Sequence, residues 1–276
     1  MRATKLTAVS RAAGYLTQVI EGAPNPGRLT DEVALVTGSN AGLGRVIAAR
    51  LAAEGADVVV TGRDAERGEA VAYEVGGSFI AADLSDEAAA AALVDAAARR
   101  FGRLTVLVNN AVAAVTSAPV DAVATEDWES AFRLNVTAPM WLCRAAIPHF
   151  RAAGHGSIVN VSSRAAERAS PGLAAYVASK GALNALTRSL AVDYAADGIR
   201  ANTVSPGYVL NEHRDADLDD AGRARLEAMH LTRLATADDV AAAVAFLAGP
   251  DAETITGVLL PVDGGSSTAA RATSLG

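Results

Sequence analysis

The chain has 276 residues, a formal net charge of −7 and a pI near 5.1. Hydrophobic residues make up 51% of it, enough for the core of one large α/β domain or two small ones. An acidic chain without a long lysine or arginine run argues against nucleic acid or an anionic membrane as the main partner. The single cysteine, Cys143, excludes an intrachain disulfide and a cysteine-based zinc site. No apolar run approaches the roughly 20 residues that cross a bilayer, so we expect a cytoplasmic protein. We also expect no metal centre.

Residues 1–28 differ from the rest of the chain. Arg2, Lys5 and Arg11 precede the first acid, Glu21, and a proline-rich stretch at residues 24–27 follows. Apolar residues at helical spacing are consistent with an amphipathic helix that docks on a neighbouring subunit or forms a lid. The alternative is a peripheral extension without chemistry. We therefore divide the chain into an N-terminal extension, residues 1–28, and a single domain, residues 29–276.

From residue 29 onward, short apolar strands alternate with helices. Strands are predicted at residues 33–37, 58–61, 78–82, 104–108, 157–161, 200–204 and 258–262, and helices at residues 45–54, 66–75, 87–101, 128–150, 174–196 and 237–248. This alternation predicts an α/β fold of the Rossmann type, a doubly wound parallel sheet with helices on both faces. No linker divides it, so we expect one domain.

A glycine-rich turn follows the first predicted strand. Gly38, Gly42 and Gly44 lie between that strand and the start of a helix, in the spacing G-x-x-x-G-x-G. In this context the turn admits a pyrophosphate against backbone N–H groups and the helix N-terminus. The turn predicts a nucleotide-binding site.

The end of the second predicted strand bears on the choice of cofactor. An acid there would bond the ribose 2′-hydroxyl of NAD, whereas an arginine would accommodate the 2′-phosphate of NADP. Gly62 occupies the place expected for the acid, and Arg63 follows it. This favours NADP(H), but Asp64 could pair with Arg63 and weaken the preference, so NAD(H) remains possible.

Tyr176 and Lys180 are one turn apart in a predicted helix. An ammonium beside a phenol favours the phenolate, so Lys180 could lower the pKa of Tyr176 from its ordinary value of about 10. A tyrosine tuned in this way is a candidate general acid or base near neutral pH.

Taken together, these motifs resemble the short-chain dehydrogenase/reductase family, especially its 3-oxoacyl-carrier-protein-reductase-like members, over about residues 29–266. Tyr176 follows Ser163 by 13 residues, as the family expects. The motifs that carry the resemblance are Thr37-Gly38-Ser39-Asn40-Ala41-Gly42-Leu43-Gly44, Asp83-Leu84, Asn109-Asn110-Ala111, Asn135, Val161-Ser162-Ser163, Tyr176-x-x-x-Lys180, Ile199-Arg200-Ala201-Asn202, Pro206-Gly207 and Val262-Asp263-Gly264-Gly265.

The resemblance implies four catalytic residues. Tyr176 would pass a proton to or from the substrate oxygen, and Lys180 would lower its pKa and hold the nicotinamide ribose. Ser163, rather than Ser162, would hydrogen-bond the substrate carbonyl. Asn135 would position a water molecule in a proton relay behind Lys180.

The resemblance also implies a set of cofactor contacts. Asp83 and Leu84 would border the adenine, and residues 109–111 would line the adenosine ribose. The full set of expected cofactor-binding residues is Gly38, Ser39, Asn40, Gly42, Leu43, Gly44, Arg63, Asp83, Leu84, Asn109, Asn110, Ala111, Tyr176, Lys180, Pro206, Gly207 and Val209.

Two positions depart from the family pattern. Val112 stands where the family has glycine after Asn109-Asn110-Ala111, which places a β-branched side chain near the cofactor. Asn211 stands where the family has a threonine that contacts the carboxamide or phosphate. Both lie close to the nicotinamide pocket, Asn211 within the predicted substrate lid, residues 207–234. The acidic run in that lid predicts a solvated turn and the N-terminus of a lid helix.

The leading hypothesis is an NADP(H)-dependent oxidoreductase that transfers a hydride between the nicotinamide and a ketone or secondary alcohol, with Tyr176 as general acid/base. One alternative is an NAD-dependent alcohol dehydrogenase of the same family. Another is a non-catalytic dinucleotide-binding scaffold. The partner would be a small carbonyl or alcohol substrate, and the resemblance implies a homo-oligomer, most often a tetramer.

Overall fold

A computed structural model describes residues 27–210, 215 and 218–268. The predictions made for residues 1–26 and Asn211 therefore lie outside the described residues. The first described residues pack on the domain: Arg28 pairs with Glu54 at 2.6 Å, and Glu54 also pairs with Arg50 at 2.6 Å. The side chain of Glu54 is fully buried, so its charge is matched by two arginines.

The described chain forms one seven-stranded sheet in which every neighbouring pair is parallel. The strand order is β3-β2-β1-β4-β5-β6-β7. This arrangement confirms the predicted Rossmann-type fold. The strands are β1 (Val33–Val36), β2 (Asp57–Gly62), β3 (Ser78–Ala81), β4 (Val106–Asn109), β5 (Gly156–Val161), β6 (Ile199–Pro206) and β7 (Leu259–Val262).

Helices cover both faces of the sheet, and two apolar cores form beneath them. One core lies under α1, α2 and α8, and the other under α3, α5 and α6. The helices are α1 (Gly42–Ala53), α2 (Ala65–Val75), α3 (Glu87–Phe101), α4 (Thr125–Phe132), α5 (Ala138–Ala153), α6 (Ala174–Tyr194), α7 (Asp220–Glu227) and α8 (Ala237–Ala248). The helix expected in the lid is therefore present as α7.

The order of the strands reverses between β1 and β4. The chain moves outward from β1 to β3 and then returns to place β4 on the other side of β1. At such a switch point the loops leaving the two strands diverge, which opens a crevice at the carboxyl ends of the strands. The glycine turn after β1 and the Asn110 segment after β4 form the two sides of this crevice.

The helix predicted at residues 128–150 is interrupted. It begins earlier, at Thr125, and a π-helical segment (Arg133–Thr137) separates α4 from α5. Pro139 lacks an N–H, so the carbonyl of Asn135 lacks the donor that an α-helix would supply four residues later. The spacing of apolar residues does not reveal this change from α-helical to π-helical winding. The prediction of one continuous helix was therefore wrong.

A buried chain of polar side chains anchors α6 to the sheet. Asn109 Nδ2 donates to Asn160 Oδ1 at 2.8 Å, and Asn160 Nδ2 donates to Thr187 Oγ1 at 2.8 Å. Thr203 Oγ1 also donates to Thr187 Oγ1 at 2.9 Å, and that hydroxyl donates to Leu183 O at 2.9 Å. Thr187 thus joins β5, β6 and α6 at one buried oxygen.

Replacing Thr187 with valine is expected to lower the free energy of unfolding by about 1–3 kcal/mol, because the buried donors of Asn160 and Thr203 lose their acceptor. Thermal denaturation should show a fall in Tm of several degrees, at about 2–4 °C per kcal/mol for a chain of this size. Thr187→Ser is the matched control, since it keeps the hydroxyl, and it should lose less. A Thr187→Val protein as stable as the wild type would contradict this role.

Candidate active site

A cleft of about 2320 Å³ runs along the carboxyl ends of the strands. The predicted residues that line it share that edge of the sheet or the helices rising from it. They are Gly38, Asn40, Gly42, Leu43, Gly44, Arg63, Asp83, Leu84, Asn110, Ala111, Ser163, Tyr176, Lys180, Pro206, Gly207 and Val209. The fold therefore brings the expected nucleotide-binding end and the expected catalytic end into one site.

The glycine turn is shaped for close approach of a ligand to the backbone. Gly38 and Gly42 have φ values of +62° and +54°, a region that favours glycine. A Cβ at Gly44 would clash with the carbonyl of Gly38 and the amide of Asn110. Helix α1 begins at Gly42, so its free N–H groups open onto the cleft. A dinucleotide pyrophosphate fits this cradle of small residues and unpaired donors.

Two of the predicted cofactor contacts have side chains engaged in the fold. Ser39 is buried; its hydroxyl donates to Val36 O at 2.6 Å and accepts from Thr61 N at 3.0 Å. Asn109 is buried in the polar chain behind α6, and its Oδ1 has no partner within the described residues. Neither side chain lines the cleft, and their contacts with a cofactor stay predictions.

Asn110 acts at the crevice itself. Its Nδ2 donates to Thr37 O at 2.8 Å and to Gly38 O at 3.3 Å, while its N–H donates to Thr37 Oγ1 at 2.9 Å. These bonds join the end of β4 to the turn after β1. Asn110 therefore sets the width of the crevice at the switch point.

Arg63 lies at the adenosine end of the cleft and is exposed. Asp64 caps helix α2 and pairs with Arg67 at 2.6 Å, instead of with Arg63. The neighbouring Arg45 is held by Glu74 through two hydrogen bonds of 3.0 and 3.1 Å. Within the described residues Arg63 has no ion pair, although its charge contributes to lowering the pKa of Asp83, after the two hydrogen bonds from Ser85.

Lys180 and Tyr176 lie one turn apart on α6, at the opposite end of the cleft. The amine of Lys180 is buried and donates to Val161 O at 2.8 Å. Its Nζ lies 5.9 Å from the centre of the Tyr176 ring. Burial lowers the pKa of Lys180 to about 8 because the charged form loses its hydration.

The two serines after β5 have different roles. Ser162 is buried, and its hydroxyl donates to Lys180 O at 3.4 Å. Ser163 is half-buried and accepts from Ala165 N at 3.1 Å, which uses a lone pair of its oxygen. The hydroxyl hydrogen of Ser163 can therefore be donated to a ligand in the cleft, and the preference for Ser163 over Ser162 stays a prediction.

The side chain of Asn135 is buried and makes hydrogen bonds at both its oxygen and its nitrogen. Its Oδ1 accepts from Ala113 N at 3.0 Å, and its Nδ2 donates to Ser179 Oγ at 3.0 Å. The residue thus ties the loop after β4 to α6, next to Lys180. The main-chain carbonyl of Asn135 is a further acceptor for a water, because the π segment and Pro139 leave it without an α-helical donor.

Val112 fits its position without backbone strain. Within the described chain, Asp31 is the one non-glycine residue with a positive φ, so Val112 does not require the freedom of glycine. Its side chain lines the cleft and is 49% exposed. The apolar wall that it forms with Ala113, Ala114, Leu134 and Leu210 was missed from the sequence. Nothing in the local pattern shows which residues of a loop face a cleft.

Known proteins are similar to this chain over most of its length. A family model described as enoyl-(acyl carrier protein) reductase matches residues 38–267. The 4-formylbenzenesulfonate dehydrogenase TsaC1/TsaC2 of Comamonas testosteroni is 40% identical, over 86% of this chain and 98% of that protein. An NADP-dependent (R)-specific alcohol dehydrogenase of Lentilactobacillus kefiri is 36% identical, over 86% and 97%. The chain is a short-chain dehydrogenase/reductase.

A solved structure supports the same family. A gluconate 5-dehydrogenase from Burkholderia cenocepacia, in complex with NADP and tartrate, matches with a TM-score of 0.84 and 33% identity, over 89% of this chain and 99% of that one. As a short-chain dehydrogenase/reductase, this protein is an NAD(P)-dependent oxidoreductase, which confirms the predicted enzyme class. The narrower likeness to 3-oxoacyl-carrier-protein reductases stays a prediction. None of the helices in the described ranges is long and apolar enough to span a membrane.

Proposed function

We propose that the protein reduces ketones, or oxidises secondary alcohols, with NADP(H), and that Tyr176 is its general acid/base. The observation that carries the proposal is the buried amine of Lys180, 5.9 Å from the Tyr176 ring, in the cleft that begins at the glycine turn. A buried amine without a carboxylate partner is costly, and such groups are concentrated at functional sites. Oxidation of NADPH in the presence of a panel of ketones tests the function directly.

The chain's own residues would supply the proton chemistry. The bound nicotinamide supplies or takes the hydride. Ser163 donates its hydroxyl hydrogen to the substrate oxygen and so stabilises the negative charge that develops there. Tyr176 delivers the proton to that oxygen during reduction, and the ammonium of Lys180 stabilises the phenolate that results. Asn135 would position a water in a proton relay behind Lys180.

Three observations support NADP(H) over NAD(H). Gly62 supplies no carboxylate for a ribose 2′-hydroxyl, and a Cβ there would overlap the side chain of Asn40. Arg63 is exposed at the same end of the cleft, while Asp64 is occupied by Arg67. A relative is named NADP-dependent, and a solved structure of the family contains NADP. A 2′-phosphate would meet a guanidinium whose charge none of the described residues pairs.

Replacing Arg63 with alanine is expected to erase a preference for NADPH of about one to two decades in affinity, the value of one charged hydrogen bond of about 1.5–3 kcal/mol. The change should fall mainly on the KM for NADPH, with KM for NADH nearly constant. Steady-state kinetics with both cofactors measures it.

Arg67→Ala is the matched control, because Arg67 lines the same end of the cleft but is held by Asp64 at 2.6 Å. Its effect on the cofactor preference should be small. Equal KM values for the two cofactors in the wild type would refute the assignment to NADP(H). A preference that disappears in Arg67→Ala and persists in Arg63→Ala would reassign the phosphate contact.

The names of the relatives do not identify the substrate of this chain. Their names include a sulfonated aromatic aldehyde, threitol, a 3β-hydroxysteroid and cyclopentanol, which differ in charge and polarity. An NAD-dependent alcohol dehydrogenase is the second candidate, and the absence of a carboxylate at Gly62 is the observation against it. A homotetramer, expected from the resemblance, stays a prediction.

A further inference from the structure

The walls of the cleft near Tyr176 are chemically unlike those at its other end. Most of the charged residues that line the cleft belong to the segment from α1 to the loop after β3; they are Arg45, Arg50, Arg63, Asp64, Arg67, Glu74 and Asp83. Asp238 lies in the first turn of α8, which packs along α1. The charges are therefore concentrated where the nucleotide would bind.

At the end near Tyr176, the walls are mostly hydrocarbon, and the hydroxyl side chains among the described lining residues there are Ser130, Ser162, Ser163 and Tyr176 itself. Val112, Leu134, Val209 and Leu210 line the cleft there, together with Ala113 and Ala114. Within the described residues, Lys180 is the one cation of this end, and its amine is buried against Val161 O. A carboxylate or sulfonate bound there would find no exposed cation among the described lining residues.

The hydrogen bonds of Asn135 place this apolar wall beside α6, the helix that carries Tyr176 and Lys180. Asn135 Oδ1 holds Ala113 N, and Asn135 Nδ2 holds Ser179 on α6. Val112 and Ala114 flank the fixed residue, and Leu134 precedes Asn135. Val112 is 49% exposed and Leu210 is 37% exposed, so both present apolar surface that a bound molecule could cover. Hydrocarbon is the complementary surface, because covering it removes apolar area from water.

We propose that the substrate is an uncharged ketone or secondary alcohol whose flanking groups are hydrocarbon, such as an alkyl-substituted ring. This rests on the proposed hydride-transfer function. A polyol would place hydroxyl groups against the side chains of Val112 and Leu210, which offer no hydrogen-bond partner, and this is unfavourable. An acidic substrate would bury a charge at the same place.

Three ketones of closely similar size test the substrate class. They are 4-methylcyclohexanone, 4-hydroxycyclohexanone and 4-oxocyclohexanecarboxylate, which differ at the group farthest from the carbonyl. With saturating NADPH, kcat/KM for the methyl compound is expected to exceed that of the hydroxy compound by about tenfold or more, from the cost of burying an unpaired hydroxyl. The carboxylate should be the poorest. Equal values, or a higher value for the hydroxy or carboxylate compound, would overturn the proposal.

Val112→Thr tests the wall itself, because threonine has nearly the shape of valine and adds a hydroxyl. The ratio of kcat/KM between the methyl and hydroxy ketones is expected to fall several-fold in this variant. Val192→Thr is the matched control, since Val192 is 79% exposed on α6 and does not line the cleft. The ratio should be unchanged there. An unchanged ratio in Val112→Thr would show that the side chain of Val112 does not contact the substrate.

The failure of the substrate class and the failure of the function are distinguishable. Turnover of these ketones in the opposite order overturns the substrate class and supports hydride transfer. No turnover of the three ketones or of their alcohols, with either cofactor, overturns the proposed function and the substrate class together.

Discussion

Tyr176→Phe is expected to lower kcat by about 10²–10⁴-fold, the usual contribution of a positioned general acid or base. The variant keeps the aromatic ring, whose centre lies 5.9 Å from the amine of Lys180, and loses the phenolic hydroxyl, which is the proton donor of the proposed mechanism. Binding of NADPH, measured by fluorescence titration, should change little. The interaction lost is one made in the transition state, so kcat is expected to fall more than KM rises.

Tyr194→Phe is the matched control for this experiment. Tyr194 ends the same helix, and its ring lies under the Arg151 guanidinium at 5.7 Å, away from the cleft. Its kcat should stay close to that of the wild type. A Tyr176→Phe enzyme that keeps more than about a tenth of the wild-type kcat, against the usual loss of at least about a hundredfold, would show that another group transfers the proton.

Lys180→Met is expected to lower kcat by about a hundredfold or more while leaving the fold intact. Methionine fills a similar volume but has no charge to stabilise the phenolate. The free amine has a pKa lowered by burial to about 8, from 10.5. At about 1.4 kcal/mol per pKa unit, the folded protein holds this ammonium at a cost of about 3 kcal/mol at pH 7. The variant loses that cost and also the hydrogen bond to Val161 O, so its stability at pH 7 should be close to, or above, that of the wild type.

The contribution of Lys180 to the free energy of unfolding is expected to change with pH in a definite direction. Between pH 8 and pH 10.5 the unfolded chain binds more protons at Lys180 than the folded chain does, so the free energy of unfolding of the wild type rises with pH in that window. Below pH 8 this group adds no slope. Urea denaturation of both proteins at pH 7 and pH 10 measures the difference, which should shift in favour of the wild type at the higher pH. A difference independent of pH would contradict a buried, destabilising ammonium.

The alternation of strands and helices and most helix boundaries could be predicted because they follow from local patterns. Helix α3 (Glu87–Phe101) and helix α8 (Ala237–Ala248) begin and end where the sequence analysis placed them. Each begins after a side chain that caps its first turn, Asp86 for α3 and Thr236 for α8, and the apolar residues keep the helical period throughout. The glycine turn was recognisable because binding a pyrophosphate requires small residues at this spacing, and both the residues and the spacing can be read directly from the sequence.

The partners of polar side chains could not be predicted in the same way. Asp64 could have paired with Arg63 or with Arg67, and the choice is made by the first turn of α2, where Asp64 accepts from the N–H of Arg67. The water role expected of Asn135 stays a prediction, but the partners of its side chain could not be foreseen: they are Ala113, 22 residues before it, and Ser179, 44 residues after it. Such contacts depend on how separate elements pack, which the periodicity of a single segment does not contain.

The pairing of Arg28 with Glu54 sets a limit on shortening the chain. Glu54 has no exposed side-chain surface, and Arg28 and Arg50 together neutralise it at the end of α1. The N–H groups of Gly27 and Leu29 also donate to the main-chain carbonyl of Glu54. Removal of residues 1–28 would strip one of two counter-charges from a carboxylate that water does not reach. The boundary for a truncated enzyme therefore lies before Gly27, two residues earlier than the sequence pattern suggested.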